Sequence, residues 1–303
     1  MPYEAERKAL RERLGNVGVW LAVLARTPFA EARAGAATID ELGYGSLWIN
    51  EGFGTKEPMS HAALLLDATD RLVLGTGIAN IWARDAAAAN AAAATLGEAH
   101  PGRFVLGLGV SHQPMVDRRG HTYGRPLAAM RAYLDALDDA PWAGPPPAEP
   151  APRVLAALRP RMVELAAQRA AGVHSYFVPV AHTERVREAL GPDPLLIPEL
   201  AVVLEGDPGR ARERAREHAS VYLGLPNYTN NLRDLGYAAA DIAHGASDRL
   251  IDDVIAWGDD DAIAARVQAH LDAGADHVLI QPLGTFEQAL DQLRALGPAL
   301  LSR

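Results

Sequence analysis

The sequence predicts a (β/α)8 barrel, and three observations lead to it. Eight short apolar runs alternate with longer, alanine-rich amphipathic segments along the chain. The runs are continuously apolar rather than alternating, which is the pattern of parallel strands covered by helices. The turn after the first run reads ARTPF, where a doubly wound dinucleotide-binding sheet would place Gly-x-Gly-x-x-Gly.

In chain order, strands are expected at 17–24, 45–50, 71–79, 103–110, 153–158, 173–178, 196–203 and 276–281. Helical patterns fall between them at 29–42, 58–69, 85–99, 126–138, 160–171, 183–190 and 208–222. Two stretches interrupt the beat. The proline-rich APWAGPPPAEPAP at 140–152 joins a helix to a strand on the non-catalytic side. It reads as a stiff surface connection rather than a boundary, so 1–303 is taken as one domain. Segment 204–275, between strands seven and eight, is too long for a simple crossover and reads as a helical lid insertion.

Composition narrows the class. A chain of 303 residues, 49% hydrophobic, can build one large core. It has no cysteine, which removes disulfides, thiolate metal sites and cysteine nucleophiles. A net charge of −9 argues against a nucleic-acid surface. The charged N-terminus MPYEAERKALRERLGN lacks a signal peptide's apolar run, and no segment is apolar enough to span a membrane. A soluble, cytoplasmic protein with a small-molecule substrate is expected.

In such a barrel the chemistry lies at the C-terminal strand ends. Those ends supply Asn50 and Glu51, then Asn80, Trp82 and Arg84, then Ser111 and His112. Later ends supply Arg159, Tyr176, His182, Thr183 and Gln281. The stretch LGLGVSH carries Gly107 and Gly109, and glycine weakens a strand unless a backbone or ligand comes close. His112 is thus either a donor to a bound molecule or a solvated loop histidine. Glu51 is either a carboxylate at the mouth or a strand-end charge. Asp85 fits the cap of the next helix, and Thr183 the N-cap of a helix whose free amides favour an anion. Asn227, Tyr228, Asn230 and Asn231 read as a polar loop that can touch substrate. The ten histidines show no metal-ligand spacing, and no Gly-x-Ser-x-Gly elbow is present.

GTGIANIWARD at 75–85 and RFVLGLGVSHQP at 103–114 resemble the third and fourth strand ends of the bacterial luciferase-like family. The match is nearest its branch that uses coenzyme F420, an 8-hydroxy-5-deazaflavin. NYTNNLRDLGY at 227–237 and AWGDDDAIAARVQAHLDAGADHVLIQPLG at 256–284 are similar to the same branch. The resemblance implies a (β/α)8 barrel with a lid, commonly a homodimer, and a deazaflavin or flavin across the mouth. It implies a non-prolyl cis peptide at Gly77–Ile78 supporting the ring, and the cofactor phosphate near Val178 to Thr183. Asn50, Asn80, Gly109 and Ser111 become cofactor contacts, with Glu51 and His112 at the chemistry.

The departures matter. The branch's alcohol and sugar-phosphate dehydrogenases carry Asp-His at the end of strand two, where this chain has Glu51-Gly52. They carry a glutamate where this chain has Val110, which leaves His112 as the acid/base candidate by position. The expected function is hydride transfer between coenzyme F420 and an organic substrate. The rivals are an FMN-dependent luciferase-like monooxygenase and a flavin-binding protein without turnover.

Overall fold

The computed structural model describes residues 3–301. Eight strands close a parallel barrel: β1 Val17–Trp20, β2 Ser46–Ile49, β3 Val73–Thr76, β4 Phe104–Gly109, β5 Arg153–Ala156, β6 Gly172–Ser175, β7 Leu195–Leu204 and β8 Val278–Pro282. Each pairs in parallel with the next, and β8 returns to β1 with Val17 opposite Val278. All eight expected strands are present. Most are shorter at their C-terminal ends, because the chain there turns into loops that carry polar side chains.

Two apolar layers hold the barrel. Inside it, Trp20, Trp48, Val73, Val105, Leu195, Ile197 and Leu279 fill the lumen. Outside, a larger cluster joins the other strand faces to the surrounding helices. A helix the sequence did not announce, Glu4–Leu14, plugs the lower end with Leu10 and Leu14. Its charged pattern hides two lumen-facing leucines. Arg7, 3% exposed, donates to the Ala167 and Ala170 carbonyls and fixes that plug to the wall.

Expected helices are found at Phe29–Leu42, Ala86–Ala99 and Pro126–Asp138. Asp85 caps the second of these by accepting from Ala88 N at 2.7 Å. Thr183 is not an N-cap. The helix runs Val180–Leu190, so its cap is Pro179 and Thr183 lies within the first turn. Residues 140–152 contain no helix or strand, and Glu149 there is held by Arg13 at 2.8 Å.

The long segment between β7 and β8 is narrower as an insertion than 204–275. Its last helix, Asp260–Asp272, is the ordinary crossover that returns the chain to β8. The extra material is helices Pro208–Leu223, Pro226–Asp234, Ala239–Ile242 and Asp248–Val254, then a short strand Ile255–Gly258. That strand pairs with Ala201–Leu204 of β7, while β8 pairs with Glu199–Val202. A separate apolar cluster, including Phe177, Val203, Leu232, Leu250 and Ile255, seats the insertion on the barrel.

Candidate active site

The strand ends of β2, β3 and β4 form one constructed unit. Leu74 and Gly75 face Phe104 and Val105, whereas Ala79 and Asn80 face Leu108 and Gly109. Four residues of advance on one side therefore meet three on the other, a one-residue bulge after β3. The Gly77–Ile78 peptide within it is cis, as the resemblance implied. Trp20 Nε1 donates to the Gly77 carbonyl at 3.1 Å, and Gly77 N donates to Ile49 O at 2.7 Å.

The two β4 glycines answer to this bulge. A Cβ on Gly107 would run into the Thr76 carbonyl oxygen, and Thr76 Oγ1 donates to Gly107 O at 2.7 Å. A Cβ on Gly109 would meet the Ile78 side chain. The close approach is made by the neighbouring strand and its bulge.

Glu51 ties the unit together. Its carboxylate accepts from Asn80 N at 2.8 Å and from both Arg84 Nη atoms at 2.8 and 3.0 Å, with Arg119 at 3.4 Å. The Glu51 and Arg84 side chains are 6% and 11% exposed. This carboxylate is filled by donors, and through them it anchors the bulge.

A cavity of about 250 Å³ opens above this unit. Asn50, Glu51, Gly77, Ile78, Asn80, Gly109, Ser111 and His112 all line it. Asn50 Oδ1 is buried there without a partner among the described residues. Asn80 is otherwise occupied, its Oδ1 accepting from Trp82 N at 3.0 Å. Ser111 adopts φ 58°, which turns the chain sharply between Gly109 and His112. The His112 ring sits 5.4 Å from that of Tyr228, and burial pushes its pKa down, so it is neutral at neutral pH.

Val178, His182 and Thr183 do not line this cavity. His182 Nε2 meets the Leu158 carbonyl at 2.9 Å, and Thr183 Oγ1 meets His270 Nδ1 at 2.9 Å. Both side chains are buried in helix-to-barrel packing.

Asn227 and Tyr228, read as able to touch substrate, line the cavity, whereas Asn230 and Asn231 do not. Tyr228 and Asn227 belong to helix Pro226–Asp234, not a polar loop, and Tyr228 is 8% exposed. Tyr222, at the end of helix Pro208–Leu223, contacts Tyr176, Phe177 and Tyr228 in an aromatic wall. Their helical spacing gave no sign of that convergence. Glu199 is 1% exposed inside the barrel, accepting from Phe177 N at 3.1 Å. Burial raises its pKa to about 8, which keeps it protonated at neutral pH. A lone acid within LIPELAVV, in step with lumen-facing Ile197, was a legible signal for it.

Comparison with known proteins places this geometry. The chain matches 28% of residues over a 102-residue stretch of a 5,10-methylenetetrahydromethanopterin reductase from Methanolobus tindarius, 34% of this chain and 31% of that protein. The match thus spans about a third of that relative. Over 95% of this chain and 99% of the other, the fold superposes on a coenzyme F420 dependent tetrahydromethanopterin reductase from Methanopyrus kandleri, with TM-score 0.70 and 15% identity. Equal coverage and TM-score, at 14% identity, relate it to a type II Baeyer-Villiger monooxygenase of Pseudomonas putida in complex with FMN. Residues 16–277 match the model of the luciferase-like monooxygenase family, and the chain, with its closed barrel and bulged third strand, belongs to that family.

Proposed function

We propose that the protein is an oxidoreductase that moves a hydride between coenzyme F420 and an organic substrate. The observation that carries this reading is the orphaned acceptor Asn50 Oδ1 beside the bulge at Gly77–Ile78, in a cavity at the barrel mouth. A planar ring with an N–H edge fits that cradle, since a buried acceptor without a donor is costly. A relative and a fold neighbour that carry coenzyme F420 dependence in their names support the choice of cofactor.

When bound, the deazaflavin supplies or accepts a hydride at C5. The protein's own residues position and protect. Asn50 holds a ring edge, the backbone of Gly77, Ile78 and Gly109 shapes the floor, and Glu51 with Arg84 keeps the bulge in place. Ser111 and the backbone from Val178 to Thr183 complete the cofactor contacts. Neutral His112 accepts the proton a substrate hydroxyl gives up in oxidation and returns it in reduction. The helices of 208–254 close over the mouth as a lid and keep water out.

Titration of the purified protein with F420 and with FMN, followed by visible absorbance, tests this. The deazaflavin is expected to bind at least ~10-fold more tightly, a difference of about 1.4 kcal/mol. Equal or reversed affinities would instead favour an FMN monooxygenase, which the likeness to the FMN-bound neighbour keeps as the second reading.

A further inference from the structure

Three residues from three separate elements form a hydrogen-bonded chain at the cavity wall. Tyr222 comes from the insertion, Tyr176 follows β6, and Gln281 lies in β8. The Tyr176 hydroxyl donates to Gln281 Oε1 at 2.7 Å and lies 2.7 Å from the Tyr222 hydroxyl. Tyr176 has one proton, and Gln281 takes it. Tyr222 must then donate to Tyr176, which leaves Tyr222 lone pairs toward the cavity.

This chain can run the other way. A primary amide presents a donor and an acceptor of almost the same shape, so half a turn of the Gln281 amide brings Nε2 to Tyr176. Tyr176 then donates to Tyr222, and Tyr222 donates into the cavity. Every member stays satisfied in both directions. An isolated phenol would lose its buried partner on turning to a ligand.

The charge balance of the cavity says what kind of ligand this is. Among the described residues, Arg119 is the one Lys or Arg lining it, and Glu51 the one carboxylate. These face each other at 3.4 Å. A ligand carboxylate would have to compete with Glu51 for Arg119, whose Nε is the one guanidinium atom left buried and unpartnered there, and would lose its hydration as well. Trp20, Tyr176, Tyr222 and Tyr228 offer apolar ring surface instead.

We propose that Tyr222, backed by Tyr176 and Gln281, anchors the oxygen of an uncharged, ring-sized carbonyl or hydroxyl substrate, and that binding reverses the chain. This rests on the hydride-transfer reading for its chemistry but not for its binding. Tyr222 holds the oxygen while His112 exchanges the proton. The phenol suits a donor that keeps its proton, for burial raises its pKa to about 12.

Cyclohexanone, cyclohexanol and cyclohexanecarboxylate serve as probes, titrated calorimetrically into the full-length protein. Cyclohexanone is expected to bind more than ~10-fold tighter than the carboxylate, from the cost of burying an unpaired charge. Tyr222→Phe should weaken it about fivefold, the scale of one neutral hydrogen bond. Gln281→Leu removes the competing acceptor, frees Tyr176 to donate to Tyr222, and should tighten cyclohexanone binding. A Gln281 that merely braced the wall would give the opposite sign. The proposal is overturned if the carboxylate binds as well as the ketone, if Tyr222→Phe binds like the parent, or if Gln281→Leu leaves ketone binding unchanged or weakens it. Thermal melts of each variant establish that it is folded. Failure of F420 to bind in the separate cofactor titration would remove the cofactor reading and leave these affinities standing.

Discussion

Replacing Glu51 by Gln keeps the size of the side chain and removes its charge. In the parent, the carboxylate takes two bonds from Arg84 and one from Asn80 N, with Arg119 at 3.4 Å. The amide offers one acceptor and turns N–H groups toward guanidinium donors. Removing one partner of a buried ion pair costs ~3–5 kcal/mol because the other charge stays buried and uncompensated. Arg84 retains Glu57 at 3.0 Å, a carboxylate 48% exposed, which softens the loss. The expected destabilisation is therefore about 2–3 kcal/mol. Urea unfolding followed by tryptophan fluorescence and far-UV dichroism measures it, provided the two transitions coincide. Arg84→Met in the Glu51→Gln background should recover about 1 kcal/mol, since the more buried of the two guanidinium groups is then gone while Arg119 stays without its carboxylate. A Glu51→Gln variant within ~0.5 kcal/mol of the parent, the range of ordinary surface changes, would show that the pair is not the clasp of the bulge. Strict additivity in the double variant would say the same.

The glycines of β4 should separate cleanly. Gly107→Ala drives a Cβ into the Thr76 carbonyl and should cost ~3 kcal/mol or more, while Gly109→Ala meets the movable end of Ile78 and should cost about 1 kcal/mol by the same denaturation; a reversed order would refute the close-approach argument. His112→Ala should lower hydride-transfer turnover ~100-fold, the scale of lost general acid/base catalysis, with cofactor affinity nearly unchanged in the visible titration; a loss of affinity alone would make it a ligand contact. Acid should destabilise the fold. His61, His174, His182, His218 and His277 are held down to about 4 and His270 to about 3 by burial, so the unfolded chain, titrating near 6.5, takes up protons that the fold refuses. Their contribution is whole above pH ~6.5 and is lost as pH falls toward 4, at ~1.4 kcal/mol per pH unit for each. Glu199, raised to about 8, works in the opposite direction, which leaves a net of about five protons (six less one). A urea midpoint that holds steady from pH 7.5 to pH 5 would contradict this.

What the sequence made legible followed from burial. Apolar runs such as RFVLGLGV have one stable place, inside a covered sheet, so all eight strands and the closed barrel could be read. The β2, β3 and β4 ends were legible for the same reason, since polarity begins where a strand stops. The insertion was harder, because its aromatic residues converge only after three chain segments have packed. Tyr222 is an ordinary helix-end tyrosine until Tyr176 lies beside it, and nothing local announces that meeting. Thr183 was read as a cap, and the structure moves that cap to Pro179. One residue of helix phase turns a mouth-facing side chain into a core one, and the chain enters its helix at Val180.

The longest strand has a consequence for how such proteins diversify. Beyond its β6 partner, β7 extends upward, and Ile255–Gly258 runs beside Ala201–Leu204 as the inserted chain comes back. The loop leaves and re-enters within one strand spacing, about 5 Å. Barrel closure is made separately, by β8 pairing with Glu199–Val202. Lengthening a loop whose ends are already held costs only ~0.6 kcal/mol per doubling. The piece between is thus a cassette: a descendant could exchange 208–254 for another length or sequence, trade the tyrosine wall for a different surface, and inherit the bulged strand ends of β2, β3 and β4 intact.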